Sequence, residues 1–404
     1  MPGSRVADGR PARVGTRAMR LAVVGPFHPL RGGIALHTAE MASAARRRGH
    51  DVRVLSYSRL YPDLLFPGRS QLDPDSTPVV GADVPRAALL ASSAPWTWPR
   101  AAAWLAAASP DVVVLQRWHP FFAPALATVA ARARSVGARI VWMVHNARPH
   151  EGRAGPWRPL LTLGMRRGDV CLTHAASELE ALRTLGVKAE LSVVPHPAPS
   201  IVPKRVDGAA ARRALQIPDE AIVFLFFGYV RRYKGVDVLL EALARLAEDG
   251  PPWRALIAGE WYVDRAAADR AVARPPLRGR VSILDGYLST EDAARCFAAS
   301  TVVVLPYRSG TQSGVVPLAY AHGRGVVTTR VGGLAEAVRH GETGLLVPRE
   351  DPAALALALE EIRRGRRFDP HAIGAAYARC GWDGFVEVLE EIAAPALRSR
   401  APGS

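Results

Sequence analysis

Short apolar runs alternate with amphipathic stretches along most of the chain. In the first half, the predicted strands are 20–24, 51–57, 111–115, 139–144, 169–173 and 191–194, and the predicted helices include 34–48, 121–136 and 175–185. Most of these runs are continuously apolar, as expected of strands that are covered on both faces. The alternation therefore predicts βα units around a parallel sheet.

The same alternation starts again after a proline-rich break. In the second half, the predicted strands are 222–227, 254–258, 281–284, 301–305, 325–329 and 344–347, with helices at 235–248, 289–299, 313–322 and 352–364. We expect two doubly wound α/β domains in tandem. The predicted segments are a disordered leader (1–18), a first domain (19–195), a linker (196–207), a second domain (208–370), C-terminal helices that pack back toward the first domain (371–395) and a disordered tail (396–404). Residues 59–100 have the least regular pattern.

The composition is that of a globular protein with an excess of positive charge. Hydrophobic residues make up 49% of the 404 residues, charged residues make up 22%, and the formal net charge is +15. Such a balance suits a phosphorylated substrate, an anionic membrane surface or nucleic acid, but no nucleic-acid-binding module is recognisable. No apolar run approaches the roughly 18 residues of a membrane-spanning helix. The three cysteines lack metal-ligand spacing, so we expect a cytoplasmic protein without disulfides.

Basic residues follow one predicted strand of the second domain. The strand 222–227 leads into GYVRRYKG, which contains Arg231, Arg232 and Lys234. Parallel sheets bind ligands at the carboxyl ends of their strands, where the following helices begin. Guanidinium, ammonium and backbone N–H groups at such an end can hold a diphosphate. A solvated basic turn is the alternative interpretation.

Two further loops have the composition of anion sites. After the strand 301–305, the sequence LPYRSGTQSGVV offers hydroxyl side chains and glycines, namely Ser309, Gly310, Thr311, Ser313 and Gly314. In the first domain, GPFHPLRGGIALH places Gly32 and Gly33 at the start of a helix. This loop does not match G-x-G-x-x-G, which disfavours a nicotinamide dehydrogenase, and no P-loop motif occurs in the chain.

A histidine follows a third strand end. The strand 139–144 ends in VHNARPHE, which puts His145 and Asn146 at the edge of the same predicted cleft. A lone histidine is usually structural, but at this position a functional role is an equal alternative. His37, His174 and His196 have weaker claims, and no cluster of His, Cys or carboxylate residues has metal-site spacing.

Together these segments resemble the family 4 glycosyltransferases, which have the GT-B fold. The similarity runs from about residue 19 to 390 and is firmest in FFGYVRRYKGVDVLLEAL, LPYRSGTQSGVVPLAYAHGRGVVTTRVGGLAEAV and GETGLLVPREDPAALALAL. The resemblance implies two Rossmann-like domains that face a central cleft, the first binding an acceptor and the second a nucleoside-diphosphate sugar. It also implies transfer with retention of configuration, without a metal or other cofactor.

The same resemblance implies a role for each loop. The expected catalytic residues are His145, which contacts the donor sugar, and Arg231 and Lys234, which hold the diphosphate. Donor binding is expected at Gly33, Gly286, Tyr287, Gly310, Thr311, Gln312, Ser313 and Gly314, and acceptor binding at Gly32, His37 and Asn146. Arg231 and Lys234 would stabilise the charge on the departing nucleoside diphosphate, which a metal does in other transferases. No metal site is expected.

Two departures from the family pattern affect the donor site. Tyr229 stands where many members have an arginine, so that role is assigned to Arg231. The usual Glu-x7-Glu pair, whose carboxylates contact the sugar hydroxyls and the ribose, maps to Gly310 and Leu318. The segment TQSG, with its hydroxyls, amide and backbone N–H groups, is the expected substitute.

The sequence thus predicts a glycosyltransferase of cell-surface polysaccharide or glycolipid synthesis. It would move a hexose-type sugar from a UDP- or GDP-sugar to a glycan or lipid-linked acceptor. The alternatives are a sugar-nucleotide epimerase of the same fold, which the missing carboxylates disfavour, and a non-catalytic nucleotide-sugar-binding partner protein. We also expect peripheral attachment to the inner face of the cytoplasmic membrane through the tryptophan-rich first domain and Arg46, Arg47 and Arg48.

Overall fold

The computed structural model describes residues 17–62, 70–73, 80–149, 155–200 and 206–399. The first sheet in these ranges contains β1 (Arg20–Val24), β2 (Asp51–Arg59), β3 (Arg86–Ala91), β4 (Val112–Arg117), β5 (Arg139–Val144), β6 (Val170–Thr173) and β7 (Glu190–Val193). All of its strand pairs are parallel, in the order β3-β2-β1-β4-β5-β6-β7. Its helices are α1 (Gly33–Arg47), α2 (Thr97–Ala107), α3 (Ala123–Arg134) and α4 (Ala176–Thr184).

The second sheet repeats this arrangement. It contains β8 (Ile222–Phe227), β9 (Trp253–Ala258), β10 (Val281–Leu284), β11 (Val302–Leu305), β12 (Gly325–Thr329) and β13 (Gly344–Val347), in the parallel order β10-β9-β8-β11-β12-β13. Its helices are α5 (Gly208–Ala214), α6 (Val236–Ala244), α7 (Ala266–Val272), α8 (Thr290–Ala299), α9 (Val315–Ala321), α10 (Gly332–Ala337) and α11 (Pro352–Arg363). Both strand orders reverse at the first strand, as in doubly wound folds. The predicted pair of doubly wound domains is therefore confirmed.

The segment 59–100 contains two elements that its irregular pattern does not predict. These are β3, an edge strand that pairs with β2 through shifts of register, and the first residues of α2, which continues to Ala107. An edge strand contacts the core less completely, so β3 alternates exposed and half-buried positions before its buried end and lacks a long apolar run.

Two C-terminal helices, α12 (Pro370–Ala378) and α13 (Trp382–Ser399), follow the second sheet. Trp382, Phe385 and Leu389 of α13 are buried in the core of the first domain. The helix reaches Ser399, four residues into the predicted disordered tail. The rest of that tail, and residues 1–16 of the predicted leader, lie outside the described residues. No helix within the described ranges combines the length and hydropathy needed to cross a bilayer.

The chain crosses between the domains twice, and the two crossings are in contact. Ala198, which follows β7 within the predicted linker, donates a backbone hydrogen bond of 2.8 Å to the carbonyl of Cys380, which lies between α12 and α13. Residues 201–205 of the linker lie outside the described residues. The crossings therefore form a hinge, defined here as the hydrogen-bonded pair of segments at Ala198 and Cys380.

Candidate functional site

The glycine-rich loop of the first domain contacts the basic loop of the second. Gly32 adopts a positive φ of 111°, which favours glycine. A Cβ atom at Gly32 would lie 3.5 Å from the hydroxyl oxygen of Tyr229, whereas one at Gly33 would meet no atom within 4 Å. Since α1 begins at Gly33, its first N–H groups lie at a point where a ligand can approach closely.

The basic loop buries the ammonium group of Lys234. Lys234 is 9% exposed, and burial lowers the pKa of its side chain, with a further contribution from the charge of Arg231. A Cβ at Gly228 would lie 3.3 Å from Lys234 Nζ, so the glycine lets the chain pass close to the amine. No carboxylate of the described residues forms an ion pair with Lys234. The guanidinium of Arg231 lies over the ring of Tyr262, 4.5 Å from its centroid.

The loop between β11 and α9 reaches across to the first domain. The hydroxyl of Thr311 donates to Asn146 Oδ1 at 2.5 Å, and the Gly314 backbone lies beside the ring of His196. Ser313 is 3.3 Å from the hydroxyl of Tyr307. Among the described residues, the buried Oε1 of Gln312 has no hydrogen-bond partner. The TQSG segment thus lies between the two domains, and Gln312 Oε1 can accept a hydrogen bond from a ligand.

The two positions where the family carboxylates are missing have apolar surroundings. A Cβ at Gly310 would lie 3.1 Å from Leu334 Cδ1 and 3.3 Å from Tyr307 Cδ2. Leu318 packs against the core of the second domain. A glutamate at either position would therefore need a local rearrangement, and the glycine and leucine fit the packing that is present.

Four histidines, including the three with weaker sequence claims, form one cluster. The ring centroids of His37 and His145 are 4.8 Å apart, those of His37 and His174 are 5.2 Å apart, and those of His174 and His196 are 4.5 Å apart. Burial lowers the pKa of His145 to about 3 and that of His196 to about 4, and it also lowers those of His37 and His174. All four rings are therefore neutral at pH 7.

Gln116 fixes the orientation of two of these rings. Its Oε1 accepts a hydrogen bond from His145 Nε2 at 2.6 Å, and its Nε2 donates to His37 Nδ1 at 3.2 Å. The proton of His145 then lies on Nε2, and Nδ1 keeps its lone pair. This Nδ1 is buried and has no hydrogen-bond partner among the described residues, so it can accept a hydrogen bond from a ligand.

Buried polar groups hold the loop that follows His145. The guanidinium of Arg117 donates to the carbonyl of Asn146 at 2.7 Å, and the carboxylate of Glu178 accepts from the backbone N–H of Ala147 at 2.6 Å. Burial lowers the pKa of Arg117 to about 10 and raises that of Glu178. These hydrogen bonds hold the backbone that carries the side chains of His145 and Asn146 in place.

An ion pair between the domains lies beside Tyr287, one of the predicted donor-binding residues. Arg31 Nη2 is 2.5 Å from Glu260 Oε2, and both side chains are buried. The Arg31 guanidinium also lies 5.0 Å from the ring centroid of Tyr287. Tyr287 directly follows Gly286, which has a φ of 146°. The ring centroids of Tyr287 and Tyr229 are 6.4 Å apart. The loops of both domains thus meet around this pair.

The structure brings the predicted site residues of both domains to one cleft, but their roles stay predictions. The sequence interpretation missed Gln116, Arg117, Arg31 and Glu260. Gln116 and Arg117 could have been found from the sequence, because they are two polar residues at the end of the otherwise apolar strand β4. The pairing of Arg31 with Glu260 had no local signal. No group of three or more His, Cys, Asp or Glu side chains in the described part of the chain has the arrangement of a metal site.

Two family models match the chain. One, described as Glycosyltransferase Family 4, matches residues 31–199, and the other, described as Glycosyl transferases group 1, matches residues 221–364. Among relatives, a D-inositol 3-phosphate glycosyltransferase of Streptomyces bingchenggensis is 32% identical over 237 residues, which are 54% of this chain and 51% of the relative. One of Corynebacterium urealyticum is 34% identical over 206 residues, 45% of each chain. The chain thus spans about half the length of the curated relatives it matches.

Solved structures have the same fold over nearly the whole chain. Sucrose-phosphate synthase from Thermosynechococcus elongatus has a TM-score of 0.71 and 19% identity, covering 94% of this chain and 100% of that structure. Anabaena Alr3699/HepE in complex with UDP and glucose has a TM-score of 0.68 and 17% identity, with the same coverage. At this level of identity the likeness concerns the fold, and it confirms the predicted GT-B arrangement.

Proposed function

Because the chain belongs to the family 4 glycosyltransferases, we propose that it transfers a hexose-type sugar with retention of configuration. The proposed donor is a UDP- or GDP-sugar, and the proposed acceptor is a glycan or a lipid-linked sugar. The transfer would need no metal. Cell-surface polysaccharide or glycolipid synthesis is the proposed setting.

The buried ammonium of Lys234 is the observation that carries this proposal. A buried cation without a carboxylate partner is unfavourable unless an anion binds beside it, and Arg231 lies on the same loop. In the proposed reaction, the bond between the anomeric carbon and the diphosphate oxygen breaks, and its electron pair leaves with the nucleoside diphosphate. Lys234 and Arg231 would stabilise that developing charge. The acceptor hydroxyl oxygen forms the new bond to the anomeric carbon, and its proton passes to the departing diphosphate oxygen.

His145 and Gln312 are proposed to bind hydroxyl groups of the donor sugar. Each has a buried polar atom that lacks a partner among the described residues, Nδ1 in His145 and Oε1 in Gln312. Both atoms accept hydrogen bonds, as the missing carboxylates would. On this proposal, a neutral histidine and an amide replace the charged Glu-x7-Glu pair.

A contact with an anionic membrane is proposed as well, through the tryptophan-rich first domain and not through the arginine run. Arg46 pairs with Asp83, and Arg48 pairs with Glu390, so their charges are partly neutralised. Trp96, just before α2, is 78% exposed, which suits a membrane interface. Sedimentation with phosphatidylglycerol vesicles should recover wild-type protein and much less of a Trp96→Ala variant; equal recovery would contradict the contact.

The test of the donor class is thermal unfolding with a panel of UDP-, GDP- and ADP-sugars, with and without a metal chelator. A ligand at 100 times its dissociation constant stabilises by about 2.7 kcal/mol. We expect one base class to raise the midpoint, in chelator as well, and Arg231→Ala to abolish the rise. If no sugar nucleotide raises the midpoint, the proposal is wrong.

The product analysis then separates the alternatives. Acceptors to be tested are glycans, lipid-linked sugars and, because of the names of the relatives, a phosphorylated inositol. Transfer that is lost in His145→Ala would exclude the non-catalytic alternative. An epimerised sugar nucleotide formed without an acceptor would instead support the epimerase.

A further inference from the structure

A cavity lies at the amino ends of the strands of the second sheet, whereas the proposed donor site lies at their carboxyl ends. It has a volume of about 380 Å³, and the residues at the start of β8, β11 and β12 (Ile222, Val302 and Gly325) line it. Ligand pockets commonly measure roughly 300–1,000 Å³. Since ligands of doubly wound domains bind at the carboxyl ends of strands, the fold itself does not account for a pocket at this edge.

Four arginines line this cavity: Arg212, Arg324, Arg366 and Arg367. Each guanidinium donates to backbone carbonyls, those of Ala221, Phe297, Gly341 and Ile362 among them. None of the four forms an ion pair with a carboxylate of the described residues. By contrast, the neighbouring Arg364 pairs with Glu360 at 2.7 Å. A guanidinium has five N–H donors, so each lining arginine keeps donors for a ligand.

The charge around the cavity is not balanced. Asp219 and Glu220 also line it, but two carboxylates do not neutralise four guanidinium groups. Burial lowers the pKa of Arg324, and the charge of Arg212 lowers it further. The like charges of these two side chains therefore act on each other across the cavity, and an anion between them would relieve the repulsion.

We propose that this cavity, here called the arginine pocket, binds a small phosphate-bearing anion. Guanidinium groups match the geometry of phosphate oxygens with paired N–H donors. The pocket is concave and small, which favours a small molecule over the extended backbone of a nucleic acid. The proposal is independent of the proposed transferase reaction, because the residues of the arginine pocket take no part in the cleft.

The bound anion would also connect two parts of the second domain. Arg366 and Arg367 lie between α11 and α12, on the segment that leads toward the hinge, whereas Arg324 directly precedes β12. A phosphate held by both groups would fix that segment against the edge of the sheet. Binding should therefore raise the unfolding midpoint of the whole chain.

The experiment is isothermal titration of the full chain with sodium pyrophosphate at low chloride concentration. Because pyrophosphate can also bind at Arg231, all variants are made in an Arg231→Ala background. The test variant is Arg366→Gln with Arg367→Gln, since both side chains are exposed and glutamine preserves the fold. The matched control is Arg364→Gln, an exposed neighbour outside the pocket.

We expect the Arg231→Ala protein to bind one pyrophosphate and the double glutamine variant to bind it at least about tenfold more weakly. Arg364→Gln should leave the affinity unchanged. The proposal is overturned if Arg231→Ala abolishes all binding or if the double variant binds as tightly as its parent. It is also overturned if Arg364→Gln weakens binding equally, because the effect would then come from net charge. Unfolding of each variant without ligand checks that the fold is intact.

Discussion

Arg31 of the first domain and Glu260 of the second form an ion pair across the cleft, with 2.5 Å between Nη2 and Oε2. Their side chains are only 6% and 1% exposed, so removing the carboxylate of Glu260 leaves the buried Arg31 guanidinium without this counter-charge. We expect Glu260→Gln to lower the free energy of unfolding by about 3 kcal/mol. Chemical denaturation measures this change.

The matched control for this pair is Asp83→Asn, which breaks the exposed ion pair with Arg46. Exposed pairs contribute less than about 1 kcal/mol. Adding Arg31→Met to Glu260→Gln should restore part of the lost stability, because no buried charge then remains unpaired. Equal losses in Glu260→Gln and Asp83→Asn would refute a special contribution from the interdomain pair.

The histidine cluster predicts a loss of stability in mild acid. The pKa of His145 is about 3 in the folded protein and 6.5 in its unperturbed state. Between these values the unfolded chain binds a proton that the folded chain does not. The contribution of His145 to the free energy of unfolding is therefore fully present above pH 6.5 and falls as the pH drops toward 3. Each such histidine lowers the free energy of unfolding by at most about 1.4 kcal/mol for every pH unit in this range.

Unfolding free energies at pH 7.5 and pH 5.0 test this dependence. We expect His145→Gln to reduce the difference between the two pH values by about 1–2 kcal/mol. His371→Gln, which changes an exposed histidine of α12, is the control and should leave the difference as in wild type. An unchanged difference in His145→Gln would mean that the ring is protonated in the folded protein.

Lys234→Met should affect stability and donor binding in opposite directions. Methionine fills similar space without a buried charge, so we expect the ligand-free protein to become more stable by about 1 kcal/mol. The affinity for the stabilising sugar nucleotide should fall at least about tenfold, because a diphosphate contact is lost. Arg232→Met, at an exposed neighbour, should change stability by less than about 0.5 kcal/mol. A destabilised Lys234→Met protein would contradict the buried, unpaired charge.

Gly310→Ala tests why the usual carboxylate is missing. The new Cβ would lie 3.1 Å from Leu334 Cδ1 and 3.3 Å from Tyr307 Cδ2, so we expect a loss of about 1–2 kcal/mol in unfolding free energy. Gly33→Ala, whose Cβ meets no atom within 4 Å, should retain stability while weakening donor binding. If Gly310→Ala is as stable as wild type, the glycine is not required by packing.

The regular parts of the fold follow directly from the sequence, because a strand covered on both faces needs an apolar run such as that of β4 or β8. The position of the candidate site follows as well, since the carboxyl ends of parallel strands share one edge. The edge strand β3 and helix α2 lack this signal. The cluster of four histidines depends on how distant segments of the first domain and the start of the linker pack together, and the pair of Arg31 with Glu260 depends on how the two domains meet. No local pattern encodes either distance.

The hinge has a mechanical consequence. A domain attached by one segment is free to swivel and twist, but two hydrogen-bonded segments at Ala198 and Cys380 remove most of those rotations. The relative motion that remains is a rotation of one domain against the other about an axis near the paired segments. In such a rotation, loops far from the axis travel further than loops close to it.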